Sequence, residues 1–375
     1  MRLVVFGLTI SSAWANGHAT LLRGLFQAFH ELGHTTLFFE RDVPYYAAHR
    51  DLTDLEGVEL RLYDDWPTIA AEARASLLEA EVAMVTSYCP DAVAASSLIF
   101  DSNIPVRVFY DLDTPVTLDS LRRGSSVSYI GPRGLCDFDL VLSYTGGVAL
   151  EELQTRLGAR TVAPLYGSVD PKIHKRVGQR SGAAIADLSY LGTYAKDRQP
   201  QLEELFLKPA AKLPDRRFLI GGSKYPEEFP WTANIWYIDH VPPHQHSAFY
   251  SSSAITLNIT RAAMASTGYC PSGRLFEAAA CGAAIISDYW EGLEEFFEPG
   301  RDIIVARTCD DVVAALSFSP ETLRNIGRSG QERTLETSTA LHRAHQLESL
   351  LADQLMSRNI EPAICIGSHA AALEV

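Results

Sequence analysis

The sequence predicts an α/β protein of two doubly wound domains that face each other across a cleft. Short β-rich runs alternate with helical stretches through the first half, and the same rhythm restarts in the second. A segment rich in Gly, Pro and charge separates the two halves. Such alternation marks parallel sheets wrapped by helices. The length of 375 residues exceeds one ordinary α/β core and suits two of about 150–200 residues each.

In the first half, RLVVFGL, TTLFFE, VELRLY, VAMVTS, VRVFYD and DLVLSYT read as strands, with helices over Ala19 to Leu32 and near Thr68 to Leu78. In the second half, LSYLG, RRFLIGG, IWYID, AITLNI, AAIISD and DIIVA read as strands, followed by a helical stretch from Ser319 to about Met356. Between the halves, APLYGSVDPKIHKRVGQRSGAA lacks apolar periodicity and has the composition of an exposed connection. The expected division is an N-terminal Rossmann-like domain over 1–170, a C-terminal Rossmann-like domain over 171–340, a helix over 341–357 that can pack back on the first domain, and a mobile tail over 358–375.

Hydrophobic residues at 47% and charged residues at 21% are the balance of a soluble globular protein. The apolar runs are too short for a membrane span and lack a signal-peptide pattern, so no integral membrane association and a cytoplasmic location are expected. The six cysteines show no CxxC pair or histidine at ligand spacing, which favours free thiols and predicts no metal site. A net charge of −14 with no basic patch argues against nucleic acid as a partner. It does not exclude a small nucleotide met by local arginines and backbone amides.

The segment YCPSGRLFEAAACGAAIISDYWEGLEEFF is the most informative. Ser272 suits a helix N-cap and Gly282 the position just past the helix end. Glu277 is the lone charge within the apolar run LFEAAAC, one turn after Arg274. A helix start suits a diphosphate, and a carboxylate farther along can accept both hydroxyls of a ribose. Ser272, Gly273, Arg274 and Glu277 are therefore the candidate grip on a nucleoside diphosphate. The competing reading is a plain Arg274–Glu277 pair on the helix surface.

The stretch from Leu257 to Val305 resembles the group 1-type C-terminal donor-binding module of GT-B glycosyltransferases, in particular the branch of spore-maturation-like CgeB proteins. The resemblance implies that Glu277 holds the donor ribose and that Ser272 to Arg274 approach its phosphates. It implies a GT-B fold, with the donor site in the second domain and the acceptor side in the first. Many retaining members carry a second Glu eight residues earlier, where this chain has Tyr269. How the sugar is held and whether its configuration is retained stay open. Further donor-side candidates lie in loops after strands: Gly192, Thr193 and Lys196 or Arg198; Gly222, Ser223 and Lys224 after Gly221; His240 and Val241 at the nucleobase; and Arg261. The glycines also read simply as chain turns, and Arg261 as a surface residue.

The opening βαβ unit carries only the separated Gly7 and Gly17 instead of GxGxxG, which argues against a dinucleotide cofactor. NGHATLLRGLFQAFHELGHTTLFF is similar to the glycine-histidine loop of GT-B enzymes, which implies His18 as the base in the cleft, with Asn16 and Gly17 beside it. Packing at the helix start is the alternative role for His18. Asp111 and Asp113 form a DxD that in other glycosyltransferases holds a metal. Here it lies in the half without the donor motif, and Asp113 reads as a second candidate base or the partner that orients His18. Thr114 and Thr117 suit helix caps, and Gly146 and Gly147 lie between a strand and a helix. Thr114, Gly146, Gly147 and Tyr269 are candidate acceptor or sugar contacts.

The expected function is metal-independent transfer of a sugar from a nucleotide-diphosphate sugar, the co-substrate, to a hydroxyl acceptor, with no cofactor. A GT-B-fold nucleotide-sugar epimerase and a non-catalytic nucleotide-sugar-binding protein are the alternatives. UDP or GDP, sugar, acceptor and oligomeric state stay open.

Overall fold

The computed structural model describes residues 1–14, 16–178 and 184–360. It contains two all-parallel sheets. The first comprises β1 (Arg2–Gly7), β2 (Thr35–Arg41), β3 (Val58–Tyr63), β4 (Val82–Thr86), β5 (Val106–Asp111), β6 (Leu140–Ser143) and β7 (Val162–Pro164), in the order β3-β2-β1-β4-β5-β6-β7. The second comprises β8 (Ala186–Leu191), β9 (Phe218–Gly222), β10 (Ile235–Asp239), β11 (Ser253–Asn258), β12 (Ala284–Ser287) and β13 (Ile304–Val305), in the order β10-β9-β8-β11-β12-β13. Strand order reverses between β1 and β4 in one sheet and between β8 and β11 in the other, and doubly wound sheets bind ligands beyond such points.

Both sheets are covered on both faces, so their central strands are almost continuously apolar. Leu3, Val4, Val5 and Phe6 of β1 are fully buried, as are Val82, Ala83, Met84 and Val85 of β4. Glu40, near the end of β2, is a buried acid. Its buried carboxylate accepts from the Thr9 hydroxyl (2.7 Å) and the backbone N–H groups of Ile10 (2.8 Å) and Ser11 (3.0 Å). These bonds shape the loop after β1 without a glycine-rich turn and deliver the helix Gly17–Glu31, whose N-cap Asn16 accepts from the His18 N–H at 3.1 Å.

The helical stretch expected from Ser319 onward is interrupted. Helices run over Pro320–Thr337 and Ala340–Ile360. Between them, Val169 takes the backbone: its N–H donates to Ser338 O (3.1 Å) and its carbonyl accepts from Ala340 N (2.8 Å). The chain thus crosses twice between the sheets at one place. Ala340, Ala344, Leu347 and Leu351 of the last helix then join the core with Leu22, Leu25, Phe26 and Phe29 of the helix Gly17–Glu31. His34 Nε2 lies 2.9 Å from Glu348 Oε1 and fastens this return, so His34 is structural. The helix continues through 360, into the span expected as a tail, and the rest of that tail lies outside the described residues.

Candidate active site

The ends of both sheets open onto one cavity of about 420 Å³ lined by both halves of the chain. That volume suits a small-molecule ligand. On the C-terminal side, the helix Gly273–Ala280 starts at the cavity and buries Leu275, Phe276 and Ala278 to Ala280 against the core. Ser272 is its N-cap residue, but the serine side chain makes no capping bond. Ser272 and the first helical residues Gly273 and Arg274 therefore line the cavity at the positive end of the helix.

Arg274 does not pair with Glu277. Its Nη1 donates to Asn258 Oδ1 at 2.9 Å, and its guanidinium lies 5.2 Å from the Tyr190 ring centroid. Arg198 donates from Nη2 to Thr193 O at 2.8 Å, while among the described residues its buried Nε–H has no hydrogen-bond partner. Arg261 reaches the same cavity, with Nε 3.5 Å from Asp197 Oδ2. Three guanidinium groups thus converge where an anion would meet the helix start. Burial and then the neighbouring Arg274 and Arg261 lower the Arg198 pKa, with Tyr190 and Asp197 opposing.

Gly192, Thr193, Gly222 and Ser223 also line the cavity. At Gly222, φ is 141° and a Cβ would lie 2.1 Å from Gly192 O, so only glycine lets the two loops meet. The next loop sets His240 at φ 50°, with its N–H donating to Gly222 O at 3.1 Å. The His240 ring lies 4.3 Å from Trp14, which stacks on His49 at 4.1 Å.

Glu277 faces a different set of partners. Its Oε2 accepts from the Tyr250 hydroxyl at 3.2 Å and lies 3.2 Å from His246 Nδ1, while Oε1 is 4.0 Å from His174 Nε2. Burial alone raises the carboxyl pKa, but His174, His246 and Tyr250 outweigh it and bring the group down to about 2. His246 moves the other way: burial disfavours its charged form, yet Glu277 and the Val241 carbonyl raise its pKa. Among the described residues, His174, His246 and Glu277 are the group of His, Cys, Asp and Glu side chains whose ligand atoms come close enough to hold a metal ion, all within 4.8 Å.

Across the cavity, Asn16, Gly17 and His18 form the N-terminal wall. Burial lowers the His18 pKa, with Asp113 opposing and Arg261 adding to the fall, so the imidazole is neutral at pH 7. Tyr88 lies beside it, ring centroids 6.0 Å apart, and donates its hydroxyl to Asp113 Oδ2 at 3.0 Å. Asp113 is set behind this wall, and among the described residues no hydrogen bond joins it to His18. Asp111 is fully enclosed: its Oδ1 accepts from Asp113 N at 3.1 Å, and among the described residues its Oδ2 has no hydrogen-bond partner. Burial is the main reason its pKa rises to about 6. The two carboxylates therefore do not present themselves together to the cavity.

Several sequence candidates stand elsewhere. Thr114 is enclosed, its hydroxyl within 2.7 Å of Ser143 Oγ, and the N-cap position of its helix belongs to Asp113. Lys224 does not line the cavity. Gly146, Gly147 and Tyr269 form a seam between the halves rather than the cavity wall: Gly146 N donates to Tyr269 O (3.0 Å), and the Tyr144 hydroxyl to Pro271 O (2.8 Å). The Tyr269 ring fills the space above Gly147 and Gly292, where added Cβ atoms would come within 2.4 and 2.5 Å of it. The ring is thus packed on glycine, outside the residues that line the cavity. His174, His246, Tyr250 and Tyr88 were not singled out from the sequence, because what marks them is the group each one meets.

Residues 198–349 match the family described as Glycosyl transferase-like. No curated protein matches the chain. Solved structures with the same GT-B fold include sucrose-phosphate synthase from Thermosynechococcus elongatus, at 14% identity and TM-score 0.70 over 96% of this chain and 100% of that one. They also include HepE from Anabaena in complex with UDP and glucose, at 11% identity and TM-score 0.66 over 94% and 100% of the two chains. An alpha-glucosyltransferase in complex with UDP-glucose and DNA containing an abasic site matches at 13% identity and TM-score 0.66, over 94% of this chain and 99% of that one.

Proposed function

We propose that this chain is a glycosyltransferase that moves a sugar from a nucleoside-diphosphate carrier to a hydroxyl acceptor. One observation carries the reading: Arg198, Arg261 and Arg274 converge on a helix N-terminus in the cavity that also holds Glu277 and faces His18. The diphosphate sits at the helix start, among the guanidinium groups. Glu277 accepts the ribose hydroxyls, and the loop at His240 and Val241 meets the base. UDP, present with the Anabaena protein, is the first carrier to test, and GDP the second.

In the reaction, the bond between the anomeric carbon and the diphosphate oxygen breaks while a bond from that carbon to the acceptor oxygen forms. The acceptor proton passes to neutral His18, and the arginines stabilise the charge left on the nucleoside diphosphate. Asp113 favours the imidazolium electrostatically from behind the wall, which helps His18 take the proton. The positive charge a diphosphate needs comes from side chains and helix amides, which supports a metal-independent reaction. The segment Leu257 to Val305 supports a place in the CgeB-like branch.

Calorimetric titration with UDP and GDP tests the donor site. Glu277→Gln should weaken nucleotide binding by about 10–100-fold, the range for lost hydrogen bonds to a charged group. Unchanged affinity in a folded Glu277→Gln variant would remove the donor assignment.

A further inference from the structure

Two buried imidazoles flank Glu277, and the ribose scheme leaves one of them without a task. His246 is held by one hydrogen bond, its Nε2 lying 3.2 Å from Val241 O, while its Nδ1 faces Glu277 Oε2 at 3.2 Å as a charge contact without hydrogen-bond geometry. His174 differs. It is 2% exposed, lines the cavity, and among the described residues neither ring nitrogen has a partner at hydrogen-bond geometry, although the Asp170 backbone lies near enough to favour the charged ring. A buried ring with both nitrogens unmatched carries a desolvation cost unless a ligand answers it.

The position of this ring is fixed by its backbone. His174 N donates to Asp170 O at 2.8 Å, the Ser247 hydroxyl donates to Ile173 O at 2.9 Å, and Lys175 N donates to Ser247 Oγ at 3.3 Å. The connection between the halves is thereby bonded to the helix that carries His246 and Tyr250. Burial lowers the His174 pKa despite Glu277, so the ring is neutral and has one N–H donor. Its Nε2 stands 4.0 Å from Glu277 Oε1. That gap is too long for a direct hydrogen bond and fits one oxygen about 2.8 Å from each atom. A hydroxyl meets both demands, accepting from the imidazole N–H and donating to the carboxylate.

We propose that His174 is a specificity-determining residue which, with Glu277, holds one ribose hydroxyl of the donor, so that the site selects ribonucleotide over deoxyribonucleotide carriers. This rests on the donor reading above and adds the class of carrier. A site built to hydrogen-bond a hydroxyl discriminates against the analogue that lacks it, because its buried polar groups are then left unpaired.

The test is calorimetry of the full chain with UDP, GDP and the 2′-deoxy and 3′-deoxy forms of each. One deoxy form should bind about tenfold or more weakly than the ribonucleotide. His174→Phe keeps a ring of similar size and should weaken the ribonucleotide by about three- to tenfold while leaving that deoxy form unchanged. His174→Gln, which retains an N–H donor, should recover part of the preference. Equal binding of ribo and both deoxy forms by the unmodified protein overturns the inference and the ribose role of Glu277 with it, and leaves standing the diphosphate site of Arg198, Arg261, Arg274 and the helix start. Equal weakening of ribo and deoxy forms in His174→Phe also overturns it, since a merely structural ring would give that result. Binding of neither ribonucleotide sinks both readings. Stoichiometric Zn²⁺ retained through dialysis by the unmodified protein, and lost in His174→Phe, replaces the ribose assignment with a metal site on His174, His246 and Glu277.

Discussion

The two walls of the cavity are built on different physical principles. The C-terminal wall presents fixed charge: three guanidinium groups, a helix start, and a carboxylate that His174, His246 and Tyr250 keep ionised to about pH 2. The N-terminal side holds groups whose protonation burial has shifted: a neutral His18 in the wall and, enclosed behind it, an Asp111 pushed up to about 6. An anion needs charge that is already in place, whereas proton transfer needs a group free to change its charge. The division of labour between the walls follows from how each treats desolvation, and it can be tested wall by wall.

The largest expected effect lies on the N-terminal wall. His18→Ala should lower turnover by about 10²–10⁴-fold, the usual range for a positioned base, while nucleotide affinity stays as it was. The pH dependence has a definite sign. The base must be neutral, so the rate falls as pH drops through the His18 pKa, and that acid limb lies below the ordinary 6.5. Steady-state rates with a UDP-sugar or GDP-sugar donor, with calorimetry alongside, check both points. Loss of nucleotide binding in His18→Ala would blur the distinction between the walls.

A smaller effect separates stability from chemistry on the same side. Burial raises the Asp111 pKa from 3.8 to about 6. For an acid raised in the folded state, the stabilising protonated form is fully present below the unfolded value and is lost as pH climbs past the folded one. At pH 7 the enclosed carboxylate is thus ionised at a cost, whereas at pH 4 most of that cost is absent. Asp111→Asn keeps an acceptor for the Asp113 N–H and removes the charge. Its stability relative to the unmodified protein should be greater at pH 7.5 than at pH 4 by about 3 kcal/mol at most. Urea unfolding at the two pH values measures this, and a difference independent of pH would show that Asp111 is not the strained group.

The walls also differ in how far the sequence revealed them. The helix carrying Arg274 and Glu277 is local, so apolar spacing, a bounding glycine and a lone acid in an apolar run were enough to find it. The alternating rhythm found both sheets for the same reason, since parallel strands covered on both faces are written as continuous apolar runs. Tyr269, Gly146 and Gly147 were less legible. Their types suggested ligand contacts, but the φ of 47° at Tyr269 and the packing of its ring on Gly147 and Gly292 depend on two chain segments meeting. His174 failed to register because it lies in a connection without periodicity. Its significance arises only when the turn is bonded to Ser247 and the ring comes near Glu277. The division between Ser319 and Met356 was hidden too, because nothing local breaks the helix there until Val169 bonds the backbone of Ser338 and Ala340.

The smallest expected effect concerns whether the donor wall's polar groups serve the fold or the ligand. Ser319 and Ser272 both occupy N-cap positions, and both have extended backbones, with ψ of 150° and 137°. The Ser319 hydroxyl accepts from Thr322 N at 3.1 Å, whereas the Ser272 side chain makes no cap bond and lines the cavity. Ser319→Ala should therefore cost about 1 kcal/mol of stability, the ordinary value of a cap. Ser272→Ala should cost under about 0.5 kcal/mol, as expected for a substitution that breaks no internal bond. It should instead weaken UDP or GDP binding by about three- to tenfold through one lost hydrogen bond to phosphate. Equal losses of stability in the two variants, measured by urea unfolding, would mean that Ser272 caps its helix in solution. The helix start would then be less open to an anion than its geometry indicates.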